Sequence, residues 1–397
     1  MSGGETGGPG EPPETPARSV LCLRTSALGD VIMLGPALGQ LRAAGLEPIL
    51  VTSDASLGAA RCLTALRQIL VVAAGEFPTV QHWVRHEDTS APGWQHGGAE
   101  LPPVVAVLDF QVTSRSRRAL AALRRHIDLR GAPKLNCRRD RLGRFLAITT
   151  ARWRGRGTDP MPRRLSDLHG ESNGGAQALP LWFGGRGVAP VINRYDELVQ
   201  RLLEKLSIVV PALPTGDVIA SSALVPQRTF DCVVFTGASL PLKSWPAGNA
   251  AECARYLLAQ GLTVAFAGGA AEASAAEDLA AACPGAVALA GKLDIVSTID
   301  LVMRARFVVT TDSFPGHVRD LCGAPGLVLF GATSPILGFA PRGPQVQVAS
   351  LGLGCSPCTR HGRGLCRYGD HRCMAGLGGE AVAKHVLAGL GTPAAVT

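Results

Sequence analysis

Aromatic residues make up only 5% of this 397-residue chain and charged residues 18%, the latter below the usual share of about a quarter. The sequence also has no RNP, KH or helix-turn-helix pattern, so nothing in it is built to stack on or read bases. No nucleic-acid partner is expected. No stretch approaches about 18 uninterrupted apolar residues, which excludes a bilayer-spanning helix. The first 17 residues, MSGGETGGPGEPPETPA, have neither the basic cluster nor the apolar core of a signal peptide. They read as a disordered tail over 1–17, and the protein is expected to be cytosolic. Gly 48 and Pro 28 stay near 19% of the chain, under the ~25–30% of low-complexity chains. With 46% apolar residues, the chain is globular, and its length suggests two domains.

The net charge of +8 suits an anionic partner: a phosphorylated small molecule or an acidic membrane surface. Arginines crowd between Arg115 and Arg164, where Asp and Glu are few. That run reads equally as a solvated basic face. Eleven cysteines in a cytosolic chain are expected to stay mostly reduced. Cys22, Cys62, Cys137, Cys232, Cys253, Cys283 and Cys322 are scattered, several in apolar runs, as small core residues would be. Cys355, Cys358, Cys366 and Cys373 cluster.

From Ser19 onward, short apolar runs alternate with helical stretches. SVLCLRT, EPILVTS, QILVVAA and VVAVLDFQ read as buried strands, and VIMLGPALGQLRAAG as a helix. This is the pattern of a parallel sheet covered on both faces. Residues 151–190, rich in Gly, Pro, Arg and Ser, read as an irregular insertion. INRYDELVQRLLEKLSI is helical, and 211–228 reads as a linker. A second alternating block starts with DCVVFTGA and closes with the helix EAVAKHVLAGLG. The expected organisation is an N-terminal unit over 18–210 and a C-terminal unit over 229–397, the latter with a Cys-rich loop at 355–373. Both units are Rossmann-like. Open parallel sheets bind ligands beyond the carboxyl ends of their strands, so the cleft between the units is the expected site.

Three segments place polar residues just after strands. In RTSALGDVIMLGPAL, Asp30 sits at a strand-to-helix turn. It can serve as a general base or simply favour the helix N-terminus. In FTGASLPLKSWP, Lys243 suits a diphosphate at the cleft mouth or is an exposed loop lysine. In VVTTDSFPGHVRDL, Asp312 and Ser313 precede a helix whose amides can bind an anion, with His317 in its first turn. Alone, this third segment also fits an ordinary capped helix.

Taken together and in this order, the three segments resemble glycosyltransferase family 9, the ADP-heptose:lipopolysaccharide heptosyltransferases. The resemblance rests on Arg24, Ser26, Leu28, Gly29, Asp30 and Val31 with Pro36-Ala37-Leu38. It continues through Gly237-Ala238-Ser239, Lys243-Ser244-Trp245-Pro246, Gly268-Gly269 with Glu272, and Ala290-Gly291-Lys292. It ends with Asp312-Ser313-Phe314-Pro315-Gly316-His317 and Phe330-Gly331-Ala332-Thr333-Ser334-Pro335. The resemblance implies an α/β GT-B fold, two Rossmann-like doubly wound domains facing across a cleft. It implies inverting, metal-independent transfer of a sugar, with Asp30 as base and Lys243 on the leaving diphosphate. No cofactor is required. The implied donor is a nucleotide-diphospho-sugar, ADP-heptose first, held by Thr236, Gly237, Lys243, Glu272, Asp312, Ser313, Pro315, Gly316 and His317. The implied acceptor is a lipid-linked cell-surface glycan, contacted by Arg24 and Ser26, with peripheral contact at the inner membrane face.

Phe314 stands where many relatives carry glycine, which leaves Gly316 to make room for a phosphate. The spacing C-x2-C-x7-C-x6-C of Cys355, Cys358, Cys366 and Cys373 admits a structural metal, paired thiols or a plain loop. No catalytic metal is expected. Two other functions share the architecture: a sugar-nucleotide epimerase, and a binding or assembly protein that has lost turnover.

Overall fold

The computed structural model describes residues 18–72, 80–86, 94–96, 103–138, 141–154, 190–209, 218–220, 229–237 and 240–391. The expected tail over 1–17, most of the 151–190 insertion and most of the 211–228 linker lie outside them. The first unit contains β1 (Arg18–Leu23), α1 (Leu28–Ile32), α2 (Gly35–Ala43), β2 (Leu46–Ser53), α3 (Asp54–Arg61), β3 (Gln68–Val72), β4 (Val80–His86) and β5 (Trp94–His96). It continues with β6 (Val104–Asp109), α4 (Ser114–Leu123), β7 (Lys134–Asn136), α5 (Arg141–Arg154) and α6 (Val191–Lys205). The second contains β8 (Cys232–Phe235), α7 (Ala247–Ala259), β9 (Val264–Phe266), α8 (Ala273–Ala282), β10 (Val287–Ala288) and α9 (Ile295–Arg304). It ends with β11 (Phe307–Thr311), α10 (Phe314–Leu321), β12 (Gly326–Leu329), β13 (Val346–Ala349), α11 (Arg372–Ala375) and α12 (Gly379–Gly389).

The first sheet has the order β5-β4-β3-β2-β1-β6-β7 and the second β10-β9-β8-β11-β12-β13. The second is parallel throughout. The first is parallel from β3 to β7, but β4 and β5 add an antiparallel edge. That edge departs from the expected all-parallel sheet. The link over 73–79 is shorter than the dozen or so residues a parallel crossover needs, so the chain turns straight back. The expected helix over VIMLGPALGQLRAAG also divides in two, as α1 and α2. Gly35-Pro36 opens α2, because proline carries no N–H and is tolerated only in a first turn.

Both sheets are apolar on both faces, as helices on either side require. In α6 the apolar residues Val191, Ile192, Tyr195, Leu198, Val199, Leu202 and Leu203 are buried, a stripe at helical spacing that packs on α2 and the β6–β7 edge. One continuous apolar cluster includes Val20, Ile32, Leu41 and Leu198 of the first unit and Val233, Phe235, Ile299 and Val308 of the second. The units meet through α1 against α10 and α3 against α9, where Gly58 faces Ile295. They are also pinned at the surface, where the Val191 amide donates to the Gly338 carbonyl at 2.8 Å and Arg342 bridges Asn193 and Asp196. Within the proposed linker, Ile219 bridges back to Leu63.

Arg319 locks the second unit internally. Its side chain is 1% exposed, and all five of its donors reach backbone carbonyls of Val302, Met303, Ala305, Arg306 and Pro325. This single side chain ties the C-terminal part of α10 to the end of α9 and the start of β12.

Candidate functional site

Each unit brings a carboxylate to its strand ends, and each carboxylate has its own cation. After β1, Asp30 falls in the first turn of α1. Its carboxylate is paired with the Arg24 guanidinium. Arg24 in turn donates to the Phe110 carbonyl at 3.0 Å and lies over the Tyr195 ring. Burial works against the charge on Arg24, but Asp30 and Tyr195 outweigh it and hold its pKa above the ordinary value. Arg24 is therefore a fixed cation aimed at one carboxylate oxygen.

The turn between β1 and α1 is held from the neighbouring strands. Gln111, just beyond β6, accepts from the Thr25 amide and hydroxyl, both at 2.8 Å, and donates to the Ser26 hydroxyl at 3.2 Å. Ser53, at the end of β2, donates to the Thr25 carbonyl. Asp109 fixes Gln111 by accepting from the amides of Gln111 and Val112 and the Ser116 hydroxyl. Sequence reasoning missed Gln111 and Asp109. Their signal was position alone, since LDFQ ends the strand that pairs directly with β1.

After β11, Asp312 is met by Lys243 from the second unit's own first loop. The Lys243 ammonium lies 2.9 Å from the Asp312 carboxylate and donates to its backbone carbonyl at 2.6 Å. Thr333 donates to the same carboxylate at 2.7 Å; it was read only as part of the FGAT turn. Lys243 closes the turn Pro241–Lys243. That turn is anchored because the Trp245 amide donates to the Thr236 carbonyl and the buried Trp245 indole to Leu377. Ser313 is the N-cap of α10 without a side-chain cap hydrogen bond, so the first-turn amides have no side-chain acceptor there.

The two lips touch at His317. A Cβ added at Gly29 would lie 2.8 Å from the His317 ring, so glycine is what lets α10 approach the Asp30 turn. Burial pulls the His317 pKa below its ordinary value, opposed by Asp312, Asp30 and Asp320, with Lys243 acting in the same direction as burial. His317 is therefore neutral at pH 7. Gly316 does not make the room expected of it beside Phe314. Its missing side chain faces inward, where a Cβ would meet Val328 at 2.9 Å. Pro315 is buried beside it.

Glu272 packs over Gly237, Gly268 and Gly269, in space that side chains there would fill. Its carboxylate has no hydrogen-bond partner among the described residues. Ser26 accepts from Gln111 and from Arg115 at 3.3 Å, and Arg24 is occupied by Asp30. So the two residues expected to meet the acceptor are engaged within their own unit.

The Cys-rich loop comes to the same place. Gly362 lies against the aliphatic stem of Lys243. Burial lowers the pKa of His361, helped by Arg360, Lys243 and Arg144 and opposed by Asp30. Burial, reinforced by Cys358, Cys355 and Cys366, pushes the Cys373 thiol up to about 12. The four cysteines thus gather, but none of the described cysteines is in a disulfide. Among the described residues no group of three or more His, Cys, Asp or Glu is arranged to hold a metal ion. Two surface depressions lie elsewhere, one of about 590 Å³ beside Lys134 and Arg201 and one of about 330 Å³ beside Phe307 and His385.

Residues 221–368 match the model of the family described as glycosyltransferase family 9 (heptosyltransferase). The match falls on the second unit, which is similar to that family over most of its length. Lipooligosaccharide heptosyltransferase 2 of Haemophilus influenzae is 35% identical over 100 residues. The aligned stretch is 24% of this chain and only 29% of that protein's length. Solved structures extend the likeness to both units. A family 9 glycosyl transferase from Veillonella parvula has a TM-score of 0.59 at 15% identity, covering 95% of this chain and 98% of that one. The E. coli heptosyltransferase WaaC with ADP gives 0.57 at 16% identity, covering 94% and 99%. E. coli ADP-heptose LPS heptosyltransferase II gives 0.55 at 15% identity, covering 94% and 98%. The architecture of this chain is therefore GT-B, as its sequence resemblance implied.

Proposed function

We propose that the chain is an inverting glycosyltransferase that moves a heptose from ADP-heptose onto a lipid-linked acceptor in lipopolysaccharide-type assembly. The observation that carries this reading is the meeting of Asp30, His317 and the Lys243–Asp312 pair where α1 touches α10. An acceptor hydroxyl attacks the anomeric carbon as the bond from that carbon to the diphosphate oxygen breaks. The hydroxyl proton passes to Asp30, and the bonding electron pair leaves on the nucleoside diphosphate. A single displacement of this kind inverts the anomeric centre.

Arg24 fixes the direction of the Asp30 carboxylate through their ion pair. The departing diphosphate needs cationic and N–H donors in place before charge develops. Lys243 has three N–H donors, two of them directed at Asp312, which leaves one for a phosphate oxygen. The uncapped first-turn amides of α10 add their dipole, and neutral His317 offers a ring N–H without repelling the ammonium. Asp312 and Glu272 are acceptors for hydroxyls of the donor sugar and ribose, beside Thr236, Gly237 and Ser313. With these groups the chemistry needs no metal. The acceptor side of this reading places the work at the cytoplasmic face of the membrane. Among the described residues, no helix is long and apolar enough to cross a membrane.

Replacement of Asp30 by Ala tests the reading. Transfer from ADP-heptose, followed by mass, is expected to fall at least about a hundredfold. ADP affinity by calorimetry is expected to stay within about twofold, since the base touches the acceptor side only. Turnover that survives in Asp30→Ala removes the base assignment. A wild-type protein that binds neither ADP nor UDP removes the transferase reading.

A further inference from the structure

Val112, just beyond β6, holds a backbone conformation that its side chain disfavours. Its φ is +51°, in the left-handed region that glycine enters freely and a β-branched residue resists. The other non-glycine residues of this kind among the described ones, Ser207 and His371, sit at helix ends. Such a conformation persists only where the surroundings impose it, and it gathers at sites that need a fixed geometry. The group that imposes it here is Asp109, the last residue of β6, which is 1% exposed. One carboxylate oxygen accepts from the Val112 amide at 2.7 Å and the Gln111 amide at 3.1 Å. The other accepts from the Ser116 hydroxyl at 2.9 Å and lies 3.7 Å from the Lys134 ammonium. A buried carboxylate is tolerated only where donors or a cation meet it, and Asp109 has both.

The two residues inside this turn grip the segment that carries the Arg24–Asp30 pair. The Phe110 carbonyl accepts from the Arg24 guanidinium at 3.0 Å, and the Phe110 amide donates to the Leu23 carbonyl at 3.2 Å. The Phe110 ring meets the Tyr195 ring edge-on, with centres 5.2 Å apart. The Gln111 carboxamide, buried beside it, takes the Thr25 amide and hydroxyl on its oxygen and gives an N–H to Ser26. Release of Val112 to an extended conformation would pull its amide off Asp109 and loosen the loop that carries both grips.

We propose that Asp109 is a positioning residue for sugar transfer: it clamps the Val112 turn, so that Phe110 and Gln111 hold Arg24 and the Thr25–Ser26 turn and thereby aim Asp30 at the acceptor. The catalytic consequence rests on the function proposed above; the clamp itself does not. Asp109 acts at one remove, through Gln111 on one route and through Phe110 and Arg24 on the other. Its loss therefore slows the step in which Asp30 acts and spares donor binding. A shared clamp also means that losses at Asp109 and Gln111 do not add, because each breaks the same chain of contacts.

The test uses the full chain with ADP-heptose and a deacylated lipopolysaccharide acceptor. Asp109→Asn and Gln111→Leu are each expected to lower kcat about tenfold, with ADP affinity by calorimetry within about twofold of the wild type. The double variant is expected to stay within about twofold of either single one. Glycine adopts the left-handed conformation without a clamp, so D109N/V112G is expected to regain at least about threefold of the kcat lost by Asp109→Asn. Hydrogen exchange, which needs no substrate, is expected to quicken at least about tenfold at the amides of residues 24–30 in both single variants. Wild-type kcat in the single variants overturns the proposal. So do kcat and ADP affinity that fall together, additive losses, or no recovery in D109N/V112G, each of which leaves Asp109 a purely structural group. A wild-type chain that transfers no heptose instead overturns the proposed function. Exchange over residues 24–30 then decides the clamp alone: unchanged rates overturn it, and faster rates in the variants support it.

Discussion

The two units each hold an aspartate beside a cation, and the two pairs are built differently. Arg24 and Asp30 are six residues apart, flank one turn, and are held by a backbone carbonyl and by the Gln111 network behind them. Lys243 and Asp312 come from separate loops, 69 residues apart, and are joined by one flexible ammonium. Arginine presents a rigid planar fork, whereas lysine is a mobile point charge. The first pair suits a carboxylate whose direction must not change. On the proposed function, the second suits a cation that turns from an internal partner to an incoming diphosphate and back.

Substitutions can break this contrast. The largest effect after loss of Asp30 is expected for Lys243→Ala. It should lower kcat about a hundredfold or more and weaken ADP binding measurably, because the same ammonium serves ground state and departing group. An ADP affinity equal to the wild type would show that Lys243 stays on Asp312 throughout. Arg24→Gln is expected to cost about tenfold in kcat, through a misdirected base, with ADP affinity unchanged. If instead it weakens ADP binding while sparing kcat, the two pairs are not divided between base and leaving group.

The smallest effect concerns His317, which bridges the units. Its folded pKa lies below the ordinary 6.5, so the unfolded chain takes up a proton first as pH falls. The contribution of the neutral ring is complete above about pH 6.5 and is lost as pH drops through the folded value, by about 1 kcal/mol for each unit of difference. Urea midpoints measured from pH 7.5 to 5 should fall, and His317→Gln should flatten that fall. A profile identical in the variant would assign it to other groups, His361 among them.

Much of the architecture was legible because buried strands announce themselves as short apolar runs. SVLCLRT, EPILVTS, DCVVFTGA and RFVVTTD all form strands, and the residues read as chemical all follow strands. The antiparallel edge was not legible, because periodicity does not say which way a strand runs; only the short link over 73–79 does. Within the site, Asp30, Lys243 and Asp312 could be named from their motifs. Their pairings could not, since Arg24 was expected to meet an acceptor and the structure joins it to Asp30. The role of Gln111 was not legible, because it acts on Thr25 and Ser26, which lie more than eighty residues away in sequence. The outward face of α5, with Leu142, Phe145 and Leu146 exposed, was hidden for a related reason. A helical stripe of Leu and Phe reads the same whether it faces a core or the surface, and only tertiary placement decides.

The seam between the units has a consequence for how the enzyme breathes. Because one apolar mass is shared by α1, α3, α9 and α10, a wide clamshell swing would wet it and is energetically disfavoured. Entry and exit of ligands are better served by packed helices sliding past one another, a shear of small amplitude. Scattering in solution should then report nearly the same radius with and without nucleotide.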